Sequence, residues 1–515
     1  MKKTLCLILS ALMLLPVWAQ AALAAGTDGT KNETPVIFIA GFTSTDTVDE
    51  ETGERIFPPS ADSIKRGLRE TIRPVLDRTL KGEFHSLDYP LNQAVLALFD
   101  GLRCDENGDP VKVRTTAAYK YPTPEAIRAK YHENEGYTAD DHIYYSYDWR
   151  LDMRTLAGGF HDFIEYVLEC TGAEKVDVIA YSMGTCVLSS YLAVYGTEYL
   201  DQTIFYCGAF NGSSFCGDAF KRDIEMDAES TVAFLNGVLG TDARGELVKA
   251  LVDVLHQEGV TDLTAAVAGK LVDTAFSRVR RQALKYIFGR MPGFWAMIPY
   301  EDYDYVRNEF AAGMVTDAFY EKTDFYHEVQ GNIPALLSSA MAKGVNVSVI
   351  AKYGYPNVPV IASRKDGSDA IVDTCYASIG ATAARYDTPF PEDYAQVNPE
   401  PAGCVSPDRM IDASTCAFPE KTWFIKNSTH LGTLNGDESA EYRFMDWLIA
   451  SGAEMTVENE DYPRFMIEKN HQLEPLTAEN DASALGNYKR ENSLIARLKQ
   501  IFEDLKKMLR LLFVK

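Results

Sequence analysis

The sequence predicts an α/β fold built on a mostly parallel central sheet, and three observations carry that reading. Short β-branched runs recur along the chain, at residues 34–40 (TPVIFIA), 176–180 (VDVIA) and 345–350 (VNVSVI). Between two of these runs, residues 155–170 show the apolar spacing of a helix, in the β-α-β order that a parallel crossover needs. The run at 176–180 passes through Ser182 straight into Val187, Leu188, Tyr191, Leu192 and Val194, spaced like one face of a helix. A chain of 515 residues, 46% hydrophobic and 24% charged, has ample material for a large core.

Residues 1–24 read as a secretory leader: two lysines, an apolar run, and Ala22 and Ala24 as an A-x-A-like cleavage site. Removal of that leader and an extracytoplasmic location are expected. Residues 25–213 form the first part of the core, with an insertion at about 43–140. The strand at 34–40 ends at Gly41, and the insertion opens on an acidic stretch, 46–54. Ile64, Leu68, Ile72, Val75, Leu76 and Leu80 then fall at helical spacing, and 91–99 make a second apolar helix. The segment CDENGDPVKV from Cys104 has a calcium-loop flavour, but a twelve-residue loop needs an acid where Thr116 stands. Asn107-Gly108 turning a hairpin is the simpler reading.

Residues 142–147 (HIYYSY) are the next strand, running into Asp148-Trp149-Arg150, and 203–207 are a further strand ending in GAFNGSSF. Strand signals then stop. Residues 214–344 read as a helical cap, with Ala233, Leu247, Leu251, Val254 and Leu271 on successive amphipathic helices. Residues 345–450 resume the core, with strands at 345–350 and 422–425 and a helix over 439–449. Residues 451–515 are an extension, polar and acidic before a basic amphipathic helix from Ser493. Beyond Glu491, Leu494, Leu498, Ile501, Leu505, Met508 and Leu512 make an apolar stripe among six Lys/Arg and two acids. That helix has three candidate roles: docking on the acidic body, pairing as a short coiled coil, or peripheral contact with an anionic membrane.

A formal charge of −24 excludes a nucleic-acid partner, and no basic patch is interleaved with aromatics. Eight cysteines follow the leader, and Cys207–Cys216 and Cys404–Cys416, each bracketing a loop, are the preferred disulfides.

The chemistry centres on Ser182 in Ala180-Tyr181-Ser182-Met183-Gly184, a variant of G-x-S-x-G with Ala at the first flank. Small flanking residues let strand and helix backbones approach while a tight turn lifts the hydroxyl clear of the sheet. Such a serine needs an oriented base. In α/β-hydrolases the acid and then the histidine follow the serine, each after a later strand. His85, His132, His142 and His161 precede Ser182, while His256 and His327 precede the late strands. His471 lies in the polar tail, so His430, directly after the strand at 422–425, is the base. Asp366, Asp369 and Asp373 compete for the acid in the loop SRKDGSDAIV. The oxyanion hole needs two backbone N–H groups: that of Met183, after the serine, and that of Phe42, after the first strand.

Several of these segments together resemble the lecithin:cholesterol acyltransferase family of α/β-hydrolases, which includes lysosomal-type phospholipases A and phospholipid:diacylglycerol acyltransferases. Tyr147-Asp148-Trp149-Arg150 matches its Y-D-W-R, and Ala180 to Gly184 resembles A-H-S-M-G with Tyr181 in place of His. Gly208 to Ser213 is similar to G-A-P-W-G-G-S but lacks the Pro and the Trp. PGFWAMIP from Pro292 resembles a cap segment, Ser368 to Val372 corresponds loosely to G-D-G-T-V, and Thr429-His430-Leu431 to the histidine segment. The resemblance implies an α/β-hydrolase fold, favours Asp369 as the acid, and implies a secreted serine acyl-ester hydrolase or O-acyltransferase acting on lipid, without metal or cofactor. Trp149, Arg150 and Trp295 are the candidate substrate-binding residues, although an Asp148–Arg150 pair holding loops around a core Trp149 is the simpler role. Rival readings on the same fold are a small-ester carboxylesterase, a peptidase or a catalytically silent binding protein.

Overall fold

The computed structural model describes residues 34–43, 45–49, 51–53, 55–57, 99–111, 115–117, 121–132, 142–221, 230, 284–359, 361–430, 440–452, 455–469 and 472–481. The leader, the helices expected at 64–80 and 91–98, most of the cap between 222 and 283, and the C-terminal helix lie outside these residues.

The central element is an eight-stranded sheet. Its strands in chain order are β1 (Val36–Ile39), β2 (Ile143–Tyr145), β3 (Val176–Tyr181), β4 (Leu200–Tyr206), β5 (Asn346–Tyr353), β6 (Thr422–Lys426), β7 (Phe465–Lys469) and β8 (Gln472–Pro475). They lie side by side as β8-β7-β6-β5-β4-β3-β1-β2. Every neighbouring pair is parallel except β7–β8, which closes one edge antiparallel. This is an α/β-hydrolase fold with a mostly parallel sheet.

A parallel sheet is stable when both faces are covered, and the side-chain alternation shows both covered here. Ile37, Ile39, Val178 and Ala180 point to one core with helices α1 (Met153–Thr171) and α2 (Gly184–Val194). Val36, Phe38, Ile179 and Ile204 point to the other, where Tyr442, Phe444, Met445 and Leu448 of helix α6 (Ala440–Ser451) cover them. Helix α1 begins where Asp152 accepts from the Thr155 N–H and ends at Gly172, φ 74. The acidic N-cap stabilises the helix by about 1 kcal/mol, and the left-handed C-cap suits glycine.

Helices α4 (Asp317–Gly331) and α5 (Ile333–Ala342), which the sequence assigns to the cap, pack on the core. Helix α4 lies against α1 and α2, and α5 lies against α2 and β5. These two helices therefore belong with the core and not with the segment read as a cap. The core also runs past residue 450, because β7 and β8 extend the sheet where the sequence suggests only a polar tail. Phe465, Met466 and Ile467 are buried and pair with β6, leaving charged Glu468 and Lys469 at the outer end. Asn107-Gly108 does turn a hairpin: Cys104 bridges Pro110, and Lys322 donates to Asp109 and to the Asn107 carbonyl. An ammonium thus sits on the groups that suggested calcium.

Tight packing at the strand–helix junction shows why residue 184 is glycine. A Cβ there would stand 2.6 Å from the Ile39 carbonyl oxygen and 3.0 Å from that of Ala40. Both neighbours are backbone atoms of the adjacent strand and the loop after it, which cannot swing aside. Gly184→Ala is therefore expected to destabilise the fold by about 1–3 kcal/mol, read as a lowered melting temperature. An unchanged melting temperature would show that strand and helix have room to spare.

Candidate active site

Strand β3 ends at Tyr181 and helix α2 starts at Gly184, so Ser182 and Met183 make the whole turn. Ser182 is forced to φ 54, a left-handed conformation unusual for a residue with a Cβ. Bonds on both sides hold it there. Its N–H donates to the Tyr206 carbonyl at 3.0 Å, and its carbonyl accepts from Ala209 N, Thr185 N and Thr185 Oγ1. The Ala209 bond brings the Gly208–Ser213 segment against the serine.

The acid and the histidine arrive on loops after later strands. Beyond β5, Tyr355-Pro356 pairs antiparallel with Gly367-Ser368, and Asp369 follows directly. Its Oδ1 accepts the N–H groups of Ile371 and Val372 at 3.0 and 2.7 Å, which fixes the carboxylate and leaves Oδ2 for one partner. That partner is His430 Nδ1, at 2.7 Å. The other ring nitrogen, Nε2, lies 2.9 Å from Ser182 Oγ. The His430 N–H also donates to the Asp369 carbonyl at 2.7 Å, so the two loops are joined by main chain as well as side chain. Ser182, Asp369 and His430 are all buried. With a carboxylate on Nδ1, the imidazole carries its proton there and presents a lone pair to the serine hydroxyl.

Phe42 and Met183 flank the same point. A Cβ on Gly41 would lie 3.0 Å from Ser182 Cβ, so the peptide leading into Phe42 passes close to Ser182. Met183 is the N-cap of α2, where helix N–H groups lack helical acceptors. Among the described residues, no hydrogen-bond acceptor faces the N–H of Phe42 or Met183. One donor at a helix start and one in the loop after β1 suit a developing oxyanion.

The remaining expectations are corrected. Arg150 is fully buried, with its guanidinium on Asp148 at 2.6 and 2.9 Å, so it braces a loop instead of meeting a substrate. Trp149 is buried, donates to the Thr45 carbonyl and packs edge-on against Phe42 at 4.6 Å. Trp295 is buried too, donating to the Gly289 carbonyl and packed on Tyr303 and Phe319. The Trp149 indole thus supports Phe42 from behind. The two expected disulfides are also absent: Cys207, Cys216, Cys404 and Cys416 are all free thiols, as are the other described cysteines. Loop spacing permitted those pairs, but folding does not bring the sulfurs together.

Two features escape the sequence. The rings of Phe42, Phe294, Phe220, Phe288 and Phe310 form a continuous aromatic cluster reaching from the loop beside Ser182 to residues 288–310. Their positions span nearly 270 residues of chain, so no local pattern announces them. Cys207, at φ 49, offers its sulfur within 4.8 Å of the ligand atoms of Asp369 and His430. Burial pushes its thiol well above the usual range, and Asp369 and His430 are hydrogen-bonded to each other.

Asp373, the rival acid, has a different role. Its carboxylate accepts from Ser214 N at 2.8 Å and Asn357 Nδ2 at 2.9 Å, tying helix α3 (Ser214–Lys221) to the acid loop. Burial pushes it up to about 7 from 3.8. Between those values the folded chain keeps a proton that the unfolded chain has released. Its contribution to stability is therefore fully present below about pH 4 and is lost as pH rises through 7. Asp373→Asn, which mimics the protonated form, is expected to flatten the fall in melting temperature across that window. An equal fall in parent and variant would assign the dependence to another group.

Over residues 126–220 the chain matches the family model described as lecithin:cholesterol acyltransferase. That stretch includes Tyr147–Arg150, Ser182 and Gly208–Ser213, and stops before Asp369 and His430. A solved structure titled "The crystal structure of Tle4-Tli4 complex" is similar at 13% identity and a TM-score of 0.27, covering 63% of this chain and 75% of that one. No curated protein matches.

Proposed function

We propose that this lecithin:cholesterol acyltransferase-like chain is a serine acyl-ester hydrolase or O-acyltransferase of lipids, with Ser182 as nucleophile. The observation that carries the reading is the unbroken relay from Asp369 to His430 to Ser182, at 2.7 and 2.9 Å, beside the N–H groups of Phe42 and Met183, which meet no acceptor among the described residues. His430 Nε2 takes the hydroxyl proton as Ser182 Oγ attacks the acyl carbonyl. The N–H groups of Phe42 and Met183 stabilise the tetrahedral oxyanion, and Asp369 stabilises the imidazolium. His430 then returns the proton to the departing alkoxide, leaving the acyl group on Ser182. Water, or the hydroxyl of an alcohol, enters by the reverse sequence with His430 again as base.

The half-buried rings of Phe42 and Phe288, backed by the buried Phe294, favour a long acyl chain over a peptide, because they offer apolar surface near the oxyanion position. The division of the chain into leader, interrupted core, cap and extension belongs to the same proposal. So does an extracytoplasmic location, which rests on residues 1–24. The free cysteines lend that location no support. Contact of the basic C-terminal helix with an anionic membrane is a further part of the proposal, resting on its stripe and charge.

Ser182→Ala and His430→Ala are each expected to lower ester turnover by at least about a thousandfold, since triad members act as a unit. Purified protein given labelled phospholipid, with and without an alcohol acceptor, should release fatty acid, acylated alcohol or both. Turnover persisting in Ser182→Ala would remove the nucleophile assignment. Cleavage of short esters with intact phospholipid would favour a carboxylesterase. For the acid, Asp369→Asn should lose about a hundredfold or more in kcat, whereas Asp366→Asn and Asp373→Asn should stay near the parent. The reverse pattern would move the acid within the loop.

A further inference from the structure

Behind His430 lies a second polar cluster, buried throughout, that takes no part in the relay. Lys352, near the end of β5, and Glu441, in the first turn of α6, face each other with Nζ 2.7 Å from Oε2. Lys352 is 0% exposed and Glu441 3%. The ammonium also donates to the Thr429 carbonyl at 3.0 Å and stands 4.8 Å from the Tyr206 ring centroid. Glu441 accepts short bonds from the Tyr206 hydroxyl and from Ser428 Oγ. The two residues directly before His430 are therefore each tied to one member of the ion pair. His430 itself is fixed by Tyr181, whose hydroxyl donates to its carbonyl at 2.8 Å and whose ring stacks on the imidazole at 5.0 Å.

Stability alone does not account for this cluster. A buried ion pair is often no better for stability than apolar residues filling the same space, because both charges lose their hydration. Here Lys352 of β5 and Glu441 of α6 both grip one short loop, and Tyr206 of β4 holds Glu441 in turn. That loop begins at Asn427, itself held at φ 64. Tyr206 also supplies the carbonyl that holds the Ser182 N–H, so one residue touches both the nucleophile's turn and the base's anchor.

We propose that the Lys352–Glu441 pair, with Tyr206 and Ser428, is the positioning device that holds His430 Nε2 on Ser182 Oγ; this rests on Ser182 and His430 being nucleophile and base. These are positioning residues, reaching the chemistry only through the loop and the two backbones they grip. A lapse of about 1 Å at the imidazole is enough to cost a hundredfold in rate.

The test uses the full chain, a soluble p-nitrophenyl ester and a fluorophosphonate probe. Tyr206→Phe and Ser428→Ala each remove one hydroxyl and leave the ion pair in place. Both should lower kcat by about tenfold with KM within about twofold, the mark of an interaction lost from the transition state. Lys352→Met and Glu441→Gln should lower kcat further and move the acid limb of kcat/KM in opposite directions. The charged groups facing His430 are Asp369, Lys352 and Glu441, with Tyr181 and Cys207 kept neutral by burial. Removing the ammonium leaves the Glu441 charge to favour the imidazolium, so the limb shifts to higher pH. Removing the carboxylate charge leaves the ammonium, so the limb shifts to lower pH. A structural brace would change melting temperature and leave kcat of the folded variants at the parent's level. If the ion-pair variants do not fold, the two hydroxyl variants decide. Parent-like kcat and pH profile in Tyr206→Phe and Ser428→Ala, with parent Ser182 labelled by the probe, would overturn the positioning role. Absence of labelling at Ser182 in the parent would instead overturn the serine-enzyme reading and this inference with it.

Discussion

Ser182 holds a left-handed backbone, φ 54, with a side chain on it, and the geometry of the site follows from what keeps it there. Such a residue costs on the order of 1 kcal/mol or more unless its surroundings leave it no alternative. The Tyr206 carbonyl on one side and the Ala209 and Thr185 donors on the other remove the alternatives. The close approach of Gly184 to the Ile39 and Ala40 carbonyls then sets where α2 begins. With strand, turn and helix fixed in this way, the hydroxyl stands clear of the sheet and the first N–H of the helix region stands beside it. The strain buys exposure of one oxygen to one base.

The base is held to a comparable standard from the other side. Asp369 fixes the imidazole through Nδ1 and through its own carbonyl, while Tyr181 stacks on the ring and grips the His430 carbonyl. Where the related A-H-S-M-G pattern has histidine, this chain has Tyr181. Its hydroxyl therefore links the residue before Ser182 to His430 itself. The sheet order makes this possible: β3, β4, β5 and β6 are consecutive neighbours, and their carboxyl ends deliver Ser182, Cys207, the acid loop and His430 to one edge. Ligand sites of open α/β sheets form at that edge.

Much of this was legible in the chain. The strand–turn–helix around Ser182 is a local pattern, and the order serine, acid, histidine reduced eight histidines to His430. The acid loop was harder, because Asp366, Asp369 and Asp373 share one polar segment and differ only in which backbone N–H groups they meet after folding. The family resemblance, not periodicity, singled out Asp369. Contacts between distant segments were not legible. Lys352 lies in a strand and Glu441 in a helix, and neither local pattern says that they meet. Trp149 and Trp295 look like binding residues in sequence because they are large and aromatic, yet their indoles are spent on the Thr45 and Gly289 carbonyls. The last two strands were hidden by charged and polar residues flanking the short apolar run Phe465–Ile467, which a parallel partner on β6 is enough to bury.

The central claim is a covalent acyl group on Ser182, and mass analysis of the trapped intermediate tests it most directly. The parent is mixed with phospholipid vesicles, quenched in acid during turnover, digested, and the peptide containing Ser182 is weighed and sequenced. A fatty-acyl mass on Ser182 that appears with phospholipid and is absent in Ser182→Ala is expected. A fatty-acyl adduct at another residue in a protein that is turning over substrate, with Ser182 unmodified, would contradict it.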